Sequence, residues 1–216
     1  MKTLDKHELA RRTDKVRRSW AKKAPGYDKQ IGFFERRVFG RSHRPWACSR
    51  VSGDVLEVAV GTALNLPHFP ANARVTGLDL SAEMLHIART RANDLGREVH
   101  LREGDAHELP FANESFDSVV CTYSLCNIPD PQRAVIEMKR VLRPGGKLIL
   151  VDHIRSDVKP VYWFQKVAEF FTQRLEGENM TRRPAEYVEA QGFDIVERER
   201  LGPAGIVERV LAVKAG

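Results

Sequence analysis

The chain has 216 residues, 42% hydrophobic and 30% charged, a size and composition for one globular domain with a substantial core. No apolar run approaches the roughly 20 residues that span a bilayer, and the lysine-bearing start lacks the apolar stretch of a secretory signal. Three cysteines, Cys48, Cys121 and Cys126, show no metal-ligand spacing and no even disulfide set, so no metal is expected and a reducing cytoplasm is the expected setting.

The net charge of +6 is uneven: residues 1–50 hold 15 Lys/Arg and 5 Asp/Glu (+10), and the rest holds 20 and 24 (−4). The chain therefore divides into a basic helical extension, 1–50, and a main domain, 51–216. In the extension, Leu9, Thr13, Val16 and Trp20 recur at steps of 4, 3 and 4, which predicts a helix over Thr3–Lys23. Pro25-Gly26 is expected to stop it, and a second helix is expected around Ile31–Phe39. "GRSHRPWACSRVSG" reads as a connection. The basic face is open to contact with a membrane surface, an acidic substrate or nucleic acid, to a role as a lid, or to being a plain solvated face.

From Asp54 onward, strands and helices alternate. "DVLEVAV" ends in a turn at Gly61-Thr62 and is expected to open into a helix. "RVTGLDL" is a second strand, and Ser81 caps the helix "AEMLHIARTRAND" with Glu83 in its first turn. "VHLREGD" and "FDSVVCTYSL" are strands three and four. Asp130-Pro131 opens a helix whose Ala134, Val135, Met138, Val141 and Leu142 form an apolar stripe. After Pro144-Gly145-Gly146 comes a fifth, apolar strand, "KLILVDHI". Near-continuous apolar strands between amphipathic helices mean a parallel sheet covered on both faces. "FDIVERERLG" and "GIVERVLAVKA" read as a terminal hairpin, which makes one strand antiparallel.

In such a sheet, ligands sit beyond the carboxyl ends of the strands. Those ends carry Glu57 to Ala63, Asp79, Asp105-Ala106, Tyr123 to Asn127, and Asp152-His153. Asp79 suits the two hydroxyls of a ribose. Gly61 lets backbone approach a ligand without a Cβ. Asp105 can accept from an exocyclic amine, and Met84 can cover an adenine face. Ala59 and Ala63 stand where a dinucleotide fingerprint has glycine, so close approach of a pyrophosphate is disfavoured. An acidic Glu57 suits a positively charged sulfonium cofactor instead, near its amino acid part or a loop amide. The stretch thus reads as a site for S-adenosylmethionine (SAM).

From Tyr27 onward the chain resembles class I SAM-dependent methyltransferases of the methyltransferase type 11 kind. The likeness rests on "VLEVAVGTALN", "GLDLS", "GDAHELPF", "FDSVVCTYSLCNIPDP" and "RVLRPGGKLILVDH". It implies an α/β Rossmann-like fold with a seven-stranded, mostly parallel sheet and an antiparallel last strand. It also implies SAM contacts from Tyr27, Glu57, Ala59, Gly61, Thr62, Asp79, Leu80, Met84, Gly104, Asp105, Ala106 and Tyr123, with Asp79 on the ribose and Asp105 and Ala106 on the adenine. "GTALNLPHFP" is similar to bacterial phosphatidylethanolamine N-methyltransferases. The stretch from "VVCTYSLCNIPDP" to "VDH", with the later "YWFQKVAEFFTQRLEGENMTRRP", is similar to membrane-associated alkyl thiol S-methyltransferases.

The resemblance implies a small lipophilic or amphiphilic acceptor with a thiol or amine, a phospholipid headgroup included. The alternatives are O- or C-methylation of a quinone or natural product, or a nucleic-acid-binding SAM protein. His153, beside Asp152, is the candidate base, with Tyr123 near it; His153 as a wall residue is the competing reading. Cys126 reads as packing, and His68 as a surface or acceptor-facing residue. Trp163, Phe164, Phe170 and Phe171 read as pocket wall or as core. Nucleic acid is not an expected partner, because the main domain is net acidic and "SLCNIP" replaces any base-amine motif after strand four.

Overall fold

The computed structural model describes residues 4–175 and 179–216. Its centre is one seven-stranded sheet in the order β3-β2-β1-β4-β5-β7-β6. The strands are β1 (Asp54–Val58), β2 (Arg74–Asp79), β3 (His100–Glu103), β4 (Phe116–Thr122), β5 (Leu142–His153), β6 (Phe193–Leu201) and β7 (Val207–Lys214). The first five pair in parallel, whereas β7 lies between β5 and β6 and runs antiparallel to both. This is the seven-stranded, mostly parallel Rossmann-like sheet that the resemblance implied.

Alternation along the strands sorts the core into two layers, since successive side chains of a strand turn to opposite faces. Leu56, Val58, Val119, Cys121, Leu148 and Leu150 pack with α4 (Pro131–Val141) and α6 (Pro184–Ala190). Val55, Val120, Ile149 and Val151 turn the other way, toward α2 (His43–Cys48) and α3 (Ala82–Asp94). The helix starts follow their capping residues. Ser81 Oγ accepts from Met84 N at 3.3 Å, and Asp130 Oδ1 accepts from Arg133 N at 3.1 Å ahead of Pro131. Residues 143–146 form an irregularity at the start of β5: Phe116 pairs with Leu142, and the next pair joins Ser118 to Lys147.

The extension departs from expectation. One helix, α1, runs Lys6–Phe34 straight through Pro25, and a π-helical turn follows at Glu35–Phe39. Its expected start at Thr3 lies outside the described residues; the helix is capped by Asp5, which accepts from Glu8 N at 2.9 Å. Pro25 removes one backbone hydrogen bond, a cost of roughly 3 kcal/mol in an isolated helix. Contacts on both sides of it hold the axis. Val16 and Ala24 are buried, Trp20 and Tyr27 meet edge to face at 5.6 Å, and Asp28 pairs with Arg91 of α3 and accepts from Thr62 Oγ1 at 2.6 Å.

Two more expectations change. The helix expected after β1 shrinks to turns and one 3₁₀ turn, Leu66–His68, because Pro67 and Pro70 leave too few backbone donors for a longer ladder. The aromatic segment after β5 is a helix, α5 (Lys159–Leu175), but Trp163, Phe164, Phe170 and Phe171 neither join the core nor line the cavity described next; all four are exposed.

Candidate active site

The carboxyl ends of β1, β2 and β4 and the segment after β3 surround a cavity enclosing about 670 Å3 of empty space, its open mouth included. Ligand pockets span roughly 300–1,000 Å3. The loop after β1 forms one wall. It alternates left-handed residues: Ala59 (φ 56°), Gly61 (φ 56°) and Ala63 (φ 61°). Val60 N donates to Leu78 O and Ala63 N to Val60 O, both at 3.0 Å, so the loop is pinned to β2. Left-handed backbone strains an alanine by about 1–2 kcal/mol. Ala59→Gly is therefore expected to raise stability by about 0.5–1 kcal/mol in urea denaturation. Ala63, 1% exposed, gives back about as much by losing its buried methyl, so Ala63→Gly is expected to be near neutral.

Asp79 ends β2 at the cavity floor. Its Oδ2 accepts from Gly61 N at 2.8 Å and its Oδ1 from Ser81 N at 2.9 Å. Burial pushes its carboxyl up to about 6 against these amide bonds, so it is an acceptor above that pH. Leu80 and Met84 continue the wall, and Gly104, Asp105 and Ala106 close it from β3. Asp105 Oδ1 accepts from His107 N at 2.9 Å and pairs with His107 Nδ1 at 2.5 Å. His107 Nε2 accepts from Asp130 N at 3.1 Å, which makes Nδ1 the protonated nitrogen. Although burial works to raise the Asp105 carboxyl, the His107 bonds hold it below its ordinary value. Tyr123, itself left-handed at φ 53°, faces the cavity with Ser124 and Asn127. The roof is α1: Val16, Trp20 and Tyr27 line the cavity from above.

The arrangement fits SAM on its chemistry. A fixed carboxylate stands at the end of the second strand, a close-approach glycine faces it, and apolar and aromatic walls flank both. Burial pushes the Tyr27 hydroxyl up to about 12, so the roof stays neutral.

Comparison with known proteins decides the family. The "Methyltransferase domain" family matches residues 56–150. The chain is 37% identical over 162 residues to a phosphatidylethanolamine N-methyltransferase of Cereibacter sphaeroides, covering 71% of this chain and 76% of that enzyme. The chain belongs to the SAM-dependent methyltransferases. It is also 30% identical over 159 residues to the ubiquinone/menaquinone biosynthesis C-methyltransferase UbiE of Geotalea daltonii, covering 67% of this chain and 66% of that enzyme. In fold, the methyltransferase matches a SAM-dependent methyltransferase from Thermotoga maritima with a TM-score of 0.68 at 21% identity, covering 90% and 99% of the two chains.

Of the residues expected at the site, Tyr27, Ala59, Gly61, Asp79, Leu80, Met84, Gly104, Asp105, Ala106 and Tyr123 come together around the cavity of the methyltransferase. Glu57, Thr62 and His153 do not line it. Thr62 instead ties helices together: its hydroxyl donates to Asp28 Oδ1, and its carbonyl oxygen accepts from Arg91 Nε at 2.7 Å. His153 is 9% exposed and packs against Phe39 at 6.3 Å between ring centroids; Phe39 in turn stacks on Tyr123 at 5.4 Å. Asp152 does not orient the imidazole. Its oxygens accept from Cys126 N and His153 N, and its distance to His153 Nδ1 is 3.9 Å. His68 is exposed and Cys126 is buried.

Glu57 lies beneath the loop in a buried network that the sequence reading missed. Arg44, read as part of a connection, donates through Nε to Glu35 Oε1 at 2.6 Å and through a terminal nitrogen to Asn65 Oδ1 at 3.0 Å. Asn65 Nδ2 donates to Glu57 Oε1 at 2.7 Å, while Glu57 Oε2 has no hydrogen-bond partner. Burial pushes the Glu57 carboxyl up to about 8. His107 and Trp20 were also missed as site residues. Trp20 was legible as one apolar face of a helix, but nothing in that spacing said the face would roof a cavity.

Proposed function

We propose that this methyltransferase methylates the thiol or amine of a small lipophilic or amphiphilic molecule, a phospholipid headgroup amine among them. SAM, when bound, supplies an electrophilic methyl group on a sulfonium, and in-line displacement needs mainly alignment of the acceptor. In this reading Asp79 accepts from the ribose hydroxyls, Met84, Asp105 and Ala106 flank the adenine, and Ala59 and Gly61 lie along the methionine part. Val16, Trp20 and Tyr27 close the extension over the cofactor as a lid.

The observation that carries the choice of acceptor is the state of the cavity's ionisable groups. Asp79 is occupied by two amides, Asp105 by His107, and both His107 nitrogens are committed. Burial raises the Tyr123 phenol far above its ordinary value, so it holds its proton. His153 lies outside the lining. No described cavity residue is poised to take a proton in the transfer step, which favours acceptors that lose their proton to solvent beforehand and then react as thiolate or neutral amine. The Cereibacter relative, named for an amine acceptor, supports the same direction.

The UbiE relative and several demethylmenaquinone methyltransferases, at 30–34% identity, support C-methylation as a second reading. Radiolabelled methyl transfer across amino-phospholipids, alkyl thiols, naphthoquinols and phenols tests both. Label on amines or thiols is the expected result; label on the quinol ring alone would replace the first reading with the second. We also place the enzyme in a reducing compartment, which its buried, unbridged thiols at Cys48 and Cys121 support.

A further inference from the structure

Helix α5 is amphipathic but turned outward. Trp163 (68% exposed), Phe164 (74%), Val167 (59%), Phe170 (54%) and Phe171 (58%) face solvent. Their spacing of i, i+1, i+4, i+7 and i+8 places them within about 120° of the helix circumference. The side of α5 that meets the protein is polar. Gln165, 6% exposed, accepts from Ser156 N and donates to Ile154 O, both at 2.8 Å, and Glu169, 8% exposed, accepts from Thr181 N at 3.0 Å and from its hydroxyl. These bonds fix the rotation of the helix, so the aromatic face is held outward.

The exposed face is a stripe of four aromatic rings and a valine, each more than half exposed, and apolar patches of this kind mark interaction sites. Charge indicates what covers it. Lys159 and Lys166 flank the apolar stripe on one side, and Lys15 of α1 donates to Gln173 O at 3.2 Å, bringing the basic helix against the far end of α5. Arg11, Arg12, Arg17, Arg18 and Lys22 are exposed along α1; Glu8 pairs with the first two arginines and Asp14 with the other two, which leaves this face net positive. A Trp/Phe face beside a field of positive charge matches the headgroup–acyl boundary of an anionic bilayer. No described helix is long and apolar enough to cross one.

We propose that the aromatic face of α5 inserts into the interfacial layer of an anionic lipid bilayer, with α1 lying along the headgroups. The idea deepens the lipophilic-acceptor reading, because it seats the enzyme where such acceptors dissolve, but its test needs no acceptor.

The full chain is floated with phosphatidylcholine vesicles containing about 30% phosphatidylglycerol, beside Phe164→Asp/Phe171→Asp and Trp163→Phe. The double variant is expected to lower the partition coefficient at least about tenfold. Its melting temperature and SAM affinity should be unchanged, since both side chains are exposed and neither lines the cavity. Bromine-labelled lipids are expected to quench tryptophan emission in the parent chain, and this quenching should be lost in Trp163→Phe, which still floats. Equal flotation of parent and double variant would overturn the proposal. So would a dimer, seen by light scattering, that the double substitution dissociates while the parent chain ignores vesicles. Flotation without transfer to any lipophilic acceptor would instead refute the acceptor reading and leave the membrane face standing.

Discussion

Glu57→Gln is expected to remove most of a loss of stability that the parent protein undergoes between about pH 4.5 and pH 8. The buried carboxyl titrates near 8 in the folded chain and near 4.3 when unfolded. Across that window the unfolded state has given up its proton while the folded state keeps it. Unfolding then releases a proton, and stability falls as pH rises, by up to about 1.4 kcal/mol per pH unit from this one group. Above pH 8 both states are ionised and the dependence flattens; below pH 4.5 both are protonated and the full stability is present. Asp79, raised to about 6, adds a loss of the same sign over a narrower, more acidic window. Glutamine can still accept from Asn65 and carries no charge, so the variant should match the parent near pH 4.5 and exceed it by several kcal/mol at pH 8. Urea denaturation at intervals across this range measures the difference. Parallel curves for the two proteins would mean that Glu57 is not protonated in the fold.

Asp79→Asn is expected to weaken SAM binding by about 1–3 kcal/mol, roughly 5- to 150-fold in dissociation constant, in calorimetry at pH 7.5. The amide removes the charge that strengthens hydrogen bonds to a ribose. It also leaves one of the two backbone amides, Gly61 or Ser81, without its carboxylate oxygen. S-Adenosylhomocysteine, which carries the same ribose, should lose affinity by a similar factor. In the parent protein, affinity should decline below about pH 6, where Asp79 takes up its proton, and this decline should be absent in the variant. An unchanged dissociation constant would move the ribose away from the end of β2.

The strands were legible because a buried parallel sheet writes near-continuous apolar runs, and those of β2 and β4 end beside residues that face the crevice. Asp79, Asp105 and Tyr123 could be listed from their place at strand ends, and Ser81 and Asp130 from capping chemistry. What stayed hidden depends on long-range packing. Pro25 reads locally as a helix stop, and contacts on both sides of it, the buried Val16 and Ala24, the Trp20–Tyr27 ring pair and the Asp28–Arg91 ion pair, keep α1 whole. Arg44 lies in a stretch without periodicity, and its partners, Glu35 and Asn65, are brought to it by the fold. The α5 aromatics show helical spacing whether they face inward or outward. Their direction is set by Gln165 and Glu169, two polar residues that ordinary patterning assigns to the surface. His153 stood at the right strand end, yet Phe39 from the extension packs between it and the chemistry expected of it.

The placement of β7 between β5 and β6 has a consequence for biogenesis. The strand synthesised last among the seven occupies an interior position, pairing from Val207 to Lys214 with both neighbours. Until it leaves the ribosome, the β5 segment Leu148–Val151 has an open, oily margin able to stitch onto other nascent chains. A single stretch of eight residues therefore closes the sheet: without it β5 keeps a bare edge and β6 has no neighbour to pair with.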